Sequence, residues 1–534
     1  IAELIASRLR AYPAGSGTGN IGAAVAVKPG FVNIALTDKL LAGLLGAALA
    51  DPDRWWRISR EEGKKVMVEF TDPNPFKEFH IGHLYSNIVG EAISRVFESG
   101  GAIMKRANYQ GDVGLHVAKA VWGMRRNLEA AAMTLVDLEG KDRDERAKFL
   151  GQAYADGARS FKEDERVKEE ITALNRKIFV GDPEVVELYE TGRRWSLEYF
   201  ERIYRRLGTK FDFYYFERDV GRIGLELVRE HLARGVFEES EGAVVFPGEK
   251  FGLHRRVFIN SEGLPTYEAK ELGLAPTKYR DFPYDRSIII TGSEIIDYFR
   301  VLLAALKEIS PDLAAKTIHI AHGMVRLPQG KMSSRTGDVV RAEDLIEEVK
   351  ARVLRRMDSL KTELPRERWP DVAEQVALGA IKYSLLRVGM GKDISFDIET
   401  SLSLEGDSGP YLQYTYARLR SILRKATKEI NGTRGTNAKV FEGVALDAVE
   451  HRLLAAMLRL PEAIEDALKS LAPNTITNYL HALAQLANEF YHSHPVTQEP
   501  AAAKREFRLA LVAGVANTLA SGLNLLGIQA PEEM

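Results

Sequence analysis

Val66-Met67-Val68-Glu69-Phe70, followed by His80-Ile81-Gly82-His83, is the stretch on which the reading of this chain turns. The apolar run reads as a β-strand. The tetrapeptide opens a helix-like stretch that reaches about Ser99. Two imidazoles bracketing a glycine at a strand-to-helix turn make a phosphate site. The glycine lets a nucleotide lie close to the backbone, and a helix N-terminus offers unpaired N–H groups and the positive end of its dipole. The imidazoles can donate hydrogen bonds to phosphate oxygens. Far downstream, Lys331-Met332-Ser333-Ser334-Arg335 supplies a partner motif.

Outward from this turn, a second strand at about 102–107 leads into Asn108-Tyr109-Gln110-Gly111-Asp112. Strand, helix and strand make a βαβ start, so the expected fold is α/β with a Rossmann-type parallel sheet and right-handed crossover. Residues 61–345 read as this catalytic domain, interrupted at about 126–225 by a charged, helical insertion. Ser287–Thr291 and Thr317–Ala321 read as buried parallel strands. The loop 329–337 carries the lysine motif between the flexible pairs Gln329-Gly330 and Thr336-Gly337. Residues 346–400 read as a connecting helical region and 401–534 as an all-α domain, with a loop at Gly432-Thr433-Arg434-Gly435.

Residues 1–60 form a small α+β segment. Its Gly15–Gly22 stretch contains Gly-x-Gly-x-x-Gly, but a helical pattern precedes it and a strand-like one follows. A dinucleotide fingerprint needs the reverse order, so this reads as a plain loop.

The 534 residues suffice for three or four domains. A hydrophobic content of 45% and a charged content of 28% are those of a globular protein. The net charge of −2 announces no polycation, though a local basic face can still bind RNA. With no cysteine, disulfides, thiol catalysis and cysteine-ligated zinc are excluded. The apolar run Leu40–Ala50, flanked by Lys39 and Asp51, is too short to span a membrane and reads as a core helix. No signal peptide is visible, and a cytoplasmic protein is expected. The chain opens at Ile1 rather than Met, as it would with a trimmed N-terminus.

Adenylate transfer from ATP needs donors and cations at crowded phosphates and a positioned carboxylate nucleophile, but no covalent protein nucleophile. His80 and His83 can donate on one side. Lys331 can reach the pyrophosphate oxygens from its loop, and Ser333 and Ser334 add hydroxyls. Mg²⁺ would arrive with ATP and needs few protein ligands. No tightly bound cofactor and no zinc are expected.

The pair of motifs resembles the two signatures of class I aminoacyl-tRNA synthetases, and the surrounding residues resemble the arginyl-tRNA synthetase family. These are Thr71-Asp72-Pro73-Asn74-Pro75-Phe76-Lys77-Glu78-Phe79, Arg106–Asp112, Asp407-Ser408-Gly409-Pro410-Tyr411-Leu412-Gln413-Tyr414 with Ala417-Arg418, and Leu526-Gly527-Ile528 before Ala530-Pro531-Glu532. The resemblance covers nearly the whole chain and is weakest in the early segment. It implies ATP-dependent activation of L-arginine to arginyl-adenylate and transfer to the 2′-hydroxyl of the terminal adenosine of tRNA(Arg). Family members typically need bound tRNA before they activate arginine.

The resemblance also implies residue roles. His80, Gly82, His83, Gly292, Met324, Lys331, Met332, Ser333 and Ser334 would bind ATP. Asn74, Glu78, Asn108, Tyr267, Glu271 and Glu294 would line the arginine pocket, which must meet a flat, charged fork of donors. Tyr411, Gln413, Tyr414, Arg418, Arg424 and Tyr491 would contact tRNA, with Tyr416 among the aromatics available for stacking. The small N-terminal domain would touch the tRNA elbow.

Three departures stand out. Glu271 replaces the family's usual Asp, and Ile295 stands where a glutamine is usual, with Glu294 or Asp297 as substitutes. Ser334 replaces the second lysine of the motif, and Lys77 could supply that charge.

Plainer readings stand beside these. Tyr267 also fits an ordinary core, and Glu271 a helix N-terminal carboxylate. Arg418, Arg420, Arg424, Lys425 and Lys428, with no acid between them, fit either a solvated face or a contact to RNA backbone. His492 and His494 read as surface residues. Another amino-acid specificity and a silent tRNA-binding paralogue remain open as rivals. A metal hydrolase fits poorly, since His80 and His83 lack an acidic third ligand. A monomer is expected.

Overall fold

The computed structural model describes residues 1–11, 21–327, 340–360, 364–429 and 444–534. Lys331–Arg335 and Gly432–Gly435 lie outside the described residues, as does most of the Gly15–Gly22 loop. The chain divides into two compact units: Glu61–Glu348 with Val388–Asp397, and Ile1–Arg60 with Val349–Arg387 and Ile398–Met534.

The first unit is built on five parallel strands: β1 (Lys65–Glu69), β2 (Ile103–Gln110), β3 (Phe213–Phe216), β4 (Arg286–Gly292) and β5 (Thr317–His322), in the order β5-β4-β1-β2-β3. The apolar runs Val66–Val68 and Ile288–Ile290 are buried because a parallel sheet is covered on both faces. The helix Ile81–Ser99 connects β1 to β2. At Gly90 an added Cβ would lie 2.1 Å from the Phe70 ring, so only glycine lets this helix pass so close. Asn108–Gln110, read from sequence as the turn after β2, are its last residues.

The chain steps outward from β1 through β2 to β3, then returns to the opposite side of β1 as β4 and β5. The order reverses between β1 and β4. In an open α/β sheet a ligand crevice forms outside the strand ends at this switch point.

Between β2 and β3 lie the long helices Leu115–Ala131, Arg143–Glu163, Glu165–Val180 and Pro183–Leu207. The first two meet at glycines: a Cβ on Gly123 would lie 1.9 Å from the Ala153 carbonyl, and one on Gly157 2.0 Å from that of Lys119. The helical run stops at Gly208, whose φ of 75° suits a helix C-cap. Phe213–Phe216, which falls within the stretch expected to be inserted, is the edge strand of the main sheet. A three-stranded antiparallel sheet (Glu238–Ser240, Ala243–Phe246, Arg256–Ile259) precedes the helix Tyr267–Asp281 that leads to β4.

In the second unit the early segment mixes a helix (Ala2–Ala11), an antiparallel hairpin (Ile21–Val27 with Phe31–Leu36) and the core helix Asp38–Ala50. The last packs on the helix Ala502–Leu525, where a Cβ on Gly514 would lie 2.8 Å from Leu45 and from Met457. The remainder is all-α, with the helices Trp369–Leu386, Gly409–Glu429, Ala448–Met457, Leu460–Ser470 and Asn474–Ser493. Among the described residues no helix is long and apolar enough to cross a membrane.

Candidate active site

His80 is the N-cap of the helix that follows β1. Its Nδ1 accepts the Gly82 N–H at 3.1 Å, and the His83 Nδ1 accepts the His80 N–H at 3.3 Å. The two rings stack with centroids 3.6 Å apart. Because both Nδ1 atoms accept backbone protons, each neutral ring carries its own proton on Nε2. Burial, and next Lys77, pushes the His80 imidazole down to about 4; burial, His80 and Lys77 hold His83 well below its usual value. Both rings are therefore neutral Nε2–H donors at neutral pH.

This corrects one expectation. The N–H groups of His80 and Gly82 are consumed by the rings, and that of Ile81 donates to the Val340 carbonyl at 3.0 Å. The donors this end of the helix offers are thus imidazoles. Gly82 is needed for the ring's sake, since a Cβ there would lie 2.9 Å from His80 Cε1.

The second motif itself is undescribed, but its flanks are close by. Val340 and Arg341 bridge to His80 and Ile81, and the Ala342 N–H donates to the Phe79 carbonyl at 3.0 Å. On the other flank Met324 is exposed, its N–H held by Asp393 at 2.9 Å and its carbonyl by the Ile394 N–H at 2.8 Å. Gly292 ends β4 with the Glu294 carboxylate folded over it, where a Cβ would be 2.2 Å away. Lys77 is half-buried, and burial and Lys119 lower its pKa.

Across the switch point the strand ends and the helix Tyr267–Asp281 gather carboxylates. Glu69, the last residue of β1, is buried and bonded to Lys278 at 2.6 Å. Burial and Glu69 raise both Glu271 and Asp72 well above the usual carboxylate range. Glu217 pairs with Lys270 at 2.7 Å. A Cβ on Gly111 would lie 2.3 Å from Asn74 Oδ1 and 3.2 Å from Glu217, so Asn74 joins this group. Tyr267 stands exposed at the rim, under Lys270. Tyr109, whose hydroxyl is buried without a partner among the described residues, and Tyr298 have pKa values raised by burial and by Glu271 and Glu217.

Backbone strain marks the same place. Thr71, Asp72 and Phe76 have φ of 81°, 42° and 67°, costly for residues with a Cβ and concentrated in the loop between β1 and His80.

Not every expected residue is brought here. Glu78 is exposed and faces Arg341 at 3.5 Å. Asn108 is fully buried and its amide is spent, donating to the Phe70 carbonyl at 3.0 Å and accepting from Gln110 at 2.6 Å. Glu294 acts electrostatically on His80 and His322, while Asp297 pairs with Arg300. Ile295 packs on the apolar cluster around Phe299 and Leu302.

Glu69, Asp72, Tyr109, Tyr298 and Lys278 were missed from sequence. A glutamate closing an otherwise apolar strand was the available signal for Glu69, since a carboxylate is rarely buried without purpose.

In the helical unit a cleft of about 730 Å³ is lined by Tyr414, Arg418, Arg424, Lys425 and Tyr491. The Arg418 guanidinium lies 5.1 Å from the Tyr414 ring centre and 4.8 Å from that of Tyr491. Arg420 and Arg424 are held by Glu532. Tyr411 accepts a hydrogen bond from Asn488, and Tyr416 donates one to Glu532. Gln413 is fully buried, donating to the carbonyls of Gln375 and Gln529. His494, expected at the surface, is instead half-buried against Phe490 and bonded to Asp447 at 2.8 Å.

Residues 45–398 match the family model described as "tRNA synthetases class I (R), catalytic domain", so the sheet and its histidine cap are those of a class I aminoacyl-tRNA synthetase. Residues 412–534 match the "DALR anticodon binding domain". The chain is 31% identical over 528 residues to the arginine–tRNA ligase of Porphyromonas gingivalis, covering 96% of this chain and 87% of that one. It is 31% identical over 538 residues to that of Bacteroides thetaiotaomicron, covering 96% and 88%. The arginyl-tRNA synthetase structure of Thermus thermophilus superposes with a TM-score of 0.78 at 26% identity, covering 100% of this chain and 92% of that one. The chain belongs to the arginyl-tRNA synthetase family, and is a ligase that joins an amino acid to tRNA.

Proposed function

We propose that the chain activates L-arginine with Mg²⁺–ATP and transfers the arginyl group to the 2′-hydroxyl of the terminal adenosine of tRNA(Arg), working as a cytoplasmic monomer. The observation that carries this reading is the pairing, at one switch point, of two neutral imidazole donors with a buried group of carboxylates.

The imidazoles of His80 and His83 donate through Nε2–H to the phosphates of ATP, with Gly82 leaving room for the nucleotide. The backbone of Gly292 and Met324 borders the adenosine. Lys331, Met332, Ser333 and Ser334 bind the pyrophosphate, and Lys77 adds the positive charge that Ser334 lacks. The guanidinium enters the carboxylate group at Glu271 and Glu69, with Asn74 and Tyr267 along its path. Glu78, Asn108 and Glu294 serve the pocket from outside: Glu78 through Arg341, Asn108 by fixing the Phe70 carbonyl, Glu294 through its charge near His80.

An oxygen of the arginine carboxylate then attacks the α-phosphorus, the α–β phosphoanhydride bond breaks, and pyrophosphate leaves. The 2′-hydroxyl of the tRNA attacks the carbonyl carbon of the adenylate. The ester forms, AMP departs, and the hydroxyl proton passes to the phosphate or to water. Donors already aimed at the phosphates need no reorganisation as charge moves onto the leaving oxygens.

Residues 401–534 read the anticodon. Tyr414, Arg418 and Tyr491 offer a stacking surface for unstacked bases, with Tyr411 beside them, Arg424 for phosphate and Gln413 holding the helices together. Residues 1–60 touch the tRNA elbow.

The test is arginine-dependent exchange of pyrophosphate into ATP, with and without total tRNA and with other amino acids as controls. Exchange with arginine and tRNA together is expected. Exchange with a different amino acid, or none in a folded sample that binds tRNA, overturns the reading.

A further inference from the structure

The buried Glu69–Lys278 pair lies beside the open end of the sheet, and nothing in the reaction described so far uses its ammonium. Side-chain exposures of 1% and 2% and an Nζ–Oε2 distance of 2.6 Å make it the most deeply buried ion pair of the site. The helix Tyr267–Asp281 places Tyr267, Glu271, Leu274 and Lys278 on one face, since positions four, seven and eleven residues on return to the same side. The charged and titratable groups around Glu69 are Glu271 and Lys278 on that helix, Asp72 on the loop after β1, and the tyrosines Tyr109, Tyr215 and Tyr284, with Glu217 and Tyr298 next to Glu271. The other nearby ammonium, Lys270, is committed to Glu217. Glu69, Asp72 and Glu271 therefore share a single cation. Lys278 bonds Glu69 through Oε2, and the Tyr109 hydroxyl is buried with no partner among the described residues.

We propose that Lys278 is a positioning residue that sets affinity for the amino-acid substrate: its ammonium is the built-in counter-cation that holds the Glu69 carboxylate in place through Oε2, leaving Oε1 and Glu271 for the guanidinium. Buried carboxylates crowded together take up protons rather than ionise side by side. A protonated acid presents a donor where the guanidinium needs an acceptor. Lys278 is the cation bonded to Glu69, and the guanidinium is the second cation that completes the charge balance. Glu271, one methylene longer than Asp, reaches toward the same point.

The proposal rests on the arginine-ligase reading, so wild-type protein is assayed first for the amino acid it activates; exchange with another amino acid would sink that reading and not the role of Lys278. Given arginine, Lys278→Met is expected to raise KM for arginine more than tenfold with kcat and KM for ATP within threefold. Lys278→Arg, which keeps the charge, stays within about threefold of wild type in KM. A merely structural role would instead lower kcat and stability in both variants. Glu69→Gln and the charge-neutral Glu69→Gln/Lys278→Met double variant complete the cycle. If Lys278 works through Glu69, the double variant has the KM of Glu69→Gln alone, a comparison that stands even if Lys278→Met fails to fold. An unchanged or lower KM in Lys278→Met, or a KM in the double variant that multiplies the two single effects, overturns the proposal.

Discussion

Replacing Gly82 by alanine separates catalytic geometry from stability. The new methyl carbon would sit 2.9 Å from His80 Cε1 and 3.0 Å from its Nδ1, inside van der Waals contact, and only the ring can yield. Tilting it away stretches the 3.1 Å bond from the Gly82 N–H to Nδ1, the bond that keeps the ring proton on Nε2. Loss of this N-cap costs about 1 kcal/mol of stability. Alanine for glycine in a helix returns about 1 kcal/mol. The two nearly cancel, so the melting temperature should move by no more than a few degrees. Catalysis has no such offset: a donor displaced by about 1 Å from a developing charge costs on the order of 100-fold in rate. Pyrophosphate exchange at saturating ATP, arginine and tRNA measures it. Exchange within threefold of wild type would refute the idea that ring position, rather than the mere presence of two histidines, carries the chemistry. A large drop in melting temperature would show instead that the cap is structural.

Acid should destabilise the catalytic unit through its half-buried neutral histidines. His80 and His319 are pushed down to about 4 and His116 to about 3, mainly by burial, against 6.5 for the free side chain. The unfolded chain then binds the protons, so this stability is complete above about pH 6.5 and drains away as the pH falls toward about 4, by on the order of 2–3 kcal/mol per ring. Urea titrations giving the same stability at pH 7.5 and pH 5 would contradict this. Tyr491→Ala should weaken tRNA binding by about 1–3 kcal/mol through lost stacking while leaving kcat at saturating tRNA unchanged. Arg424→Ala should do much less, because Glu532 already matches its charge; filter binding at two salt concentrations compares them. Gly157→Ala forces a Cβ onto the Lys119 carbonyl at 2.0 Å and should cost about 1–3 kcal/mol in thermal melts.

Local pattern was enough for the elements and the motifs. The run Val66–Phe70 before His80 and the apolar stretch 287–291 marked two central strands because a strand buried on both faces is mostly apolar. The strands at 102–107 and 317–321 were read as well, but the latter, expected to be buried, is a half-buried edge strand of the sheet. The glycine between two histidines at a strand-to-helix turn pointed to nucleotide chemistry, since few residue types tolerate a ligand and a ring pressed on one backbone position. Phe213–Phe216 escaped notice, being short and embedded in charged helix.

What tertiary structure alone decided was which polar side chains face one another. Asn108 and Gln413 sit in the most recognisable phrases of the chain, yet the fold spends both on backbone carbonyls. Glu69 drew no role from the sequence, yet it lies in a group with Asp72, Glu217, Glu271 and Lys278. Glu69 and Asp72 are close in sequence, but Glu217 follows β3 and Glu271 and Lys278 lie on the helix before β4, so the fold has to bring three separate stretches of chain together. Sequence spacing carries local periodicity, whereas the charge balance of a buried site depends on long-range contacts that no local period encodes.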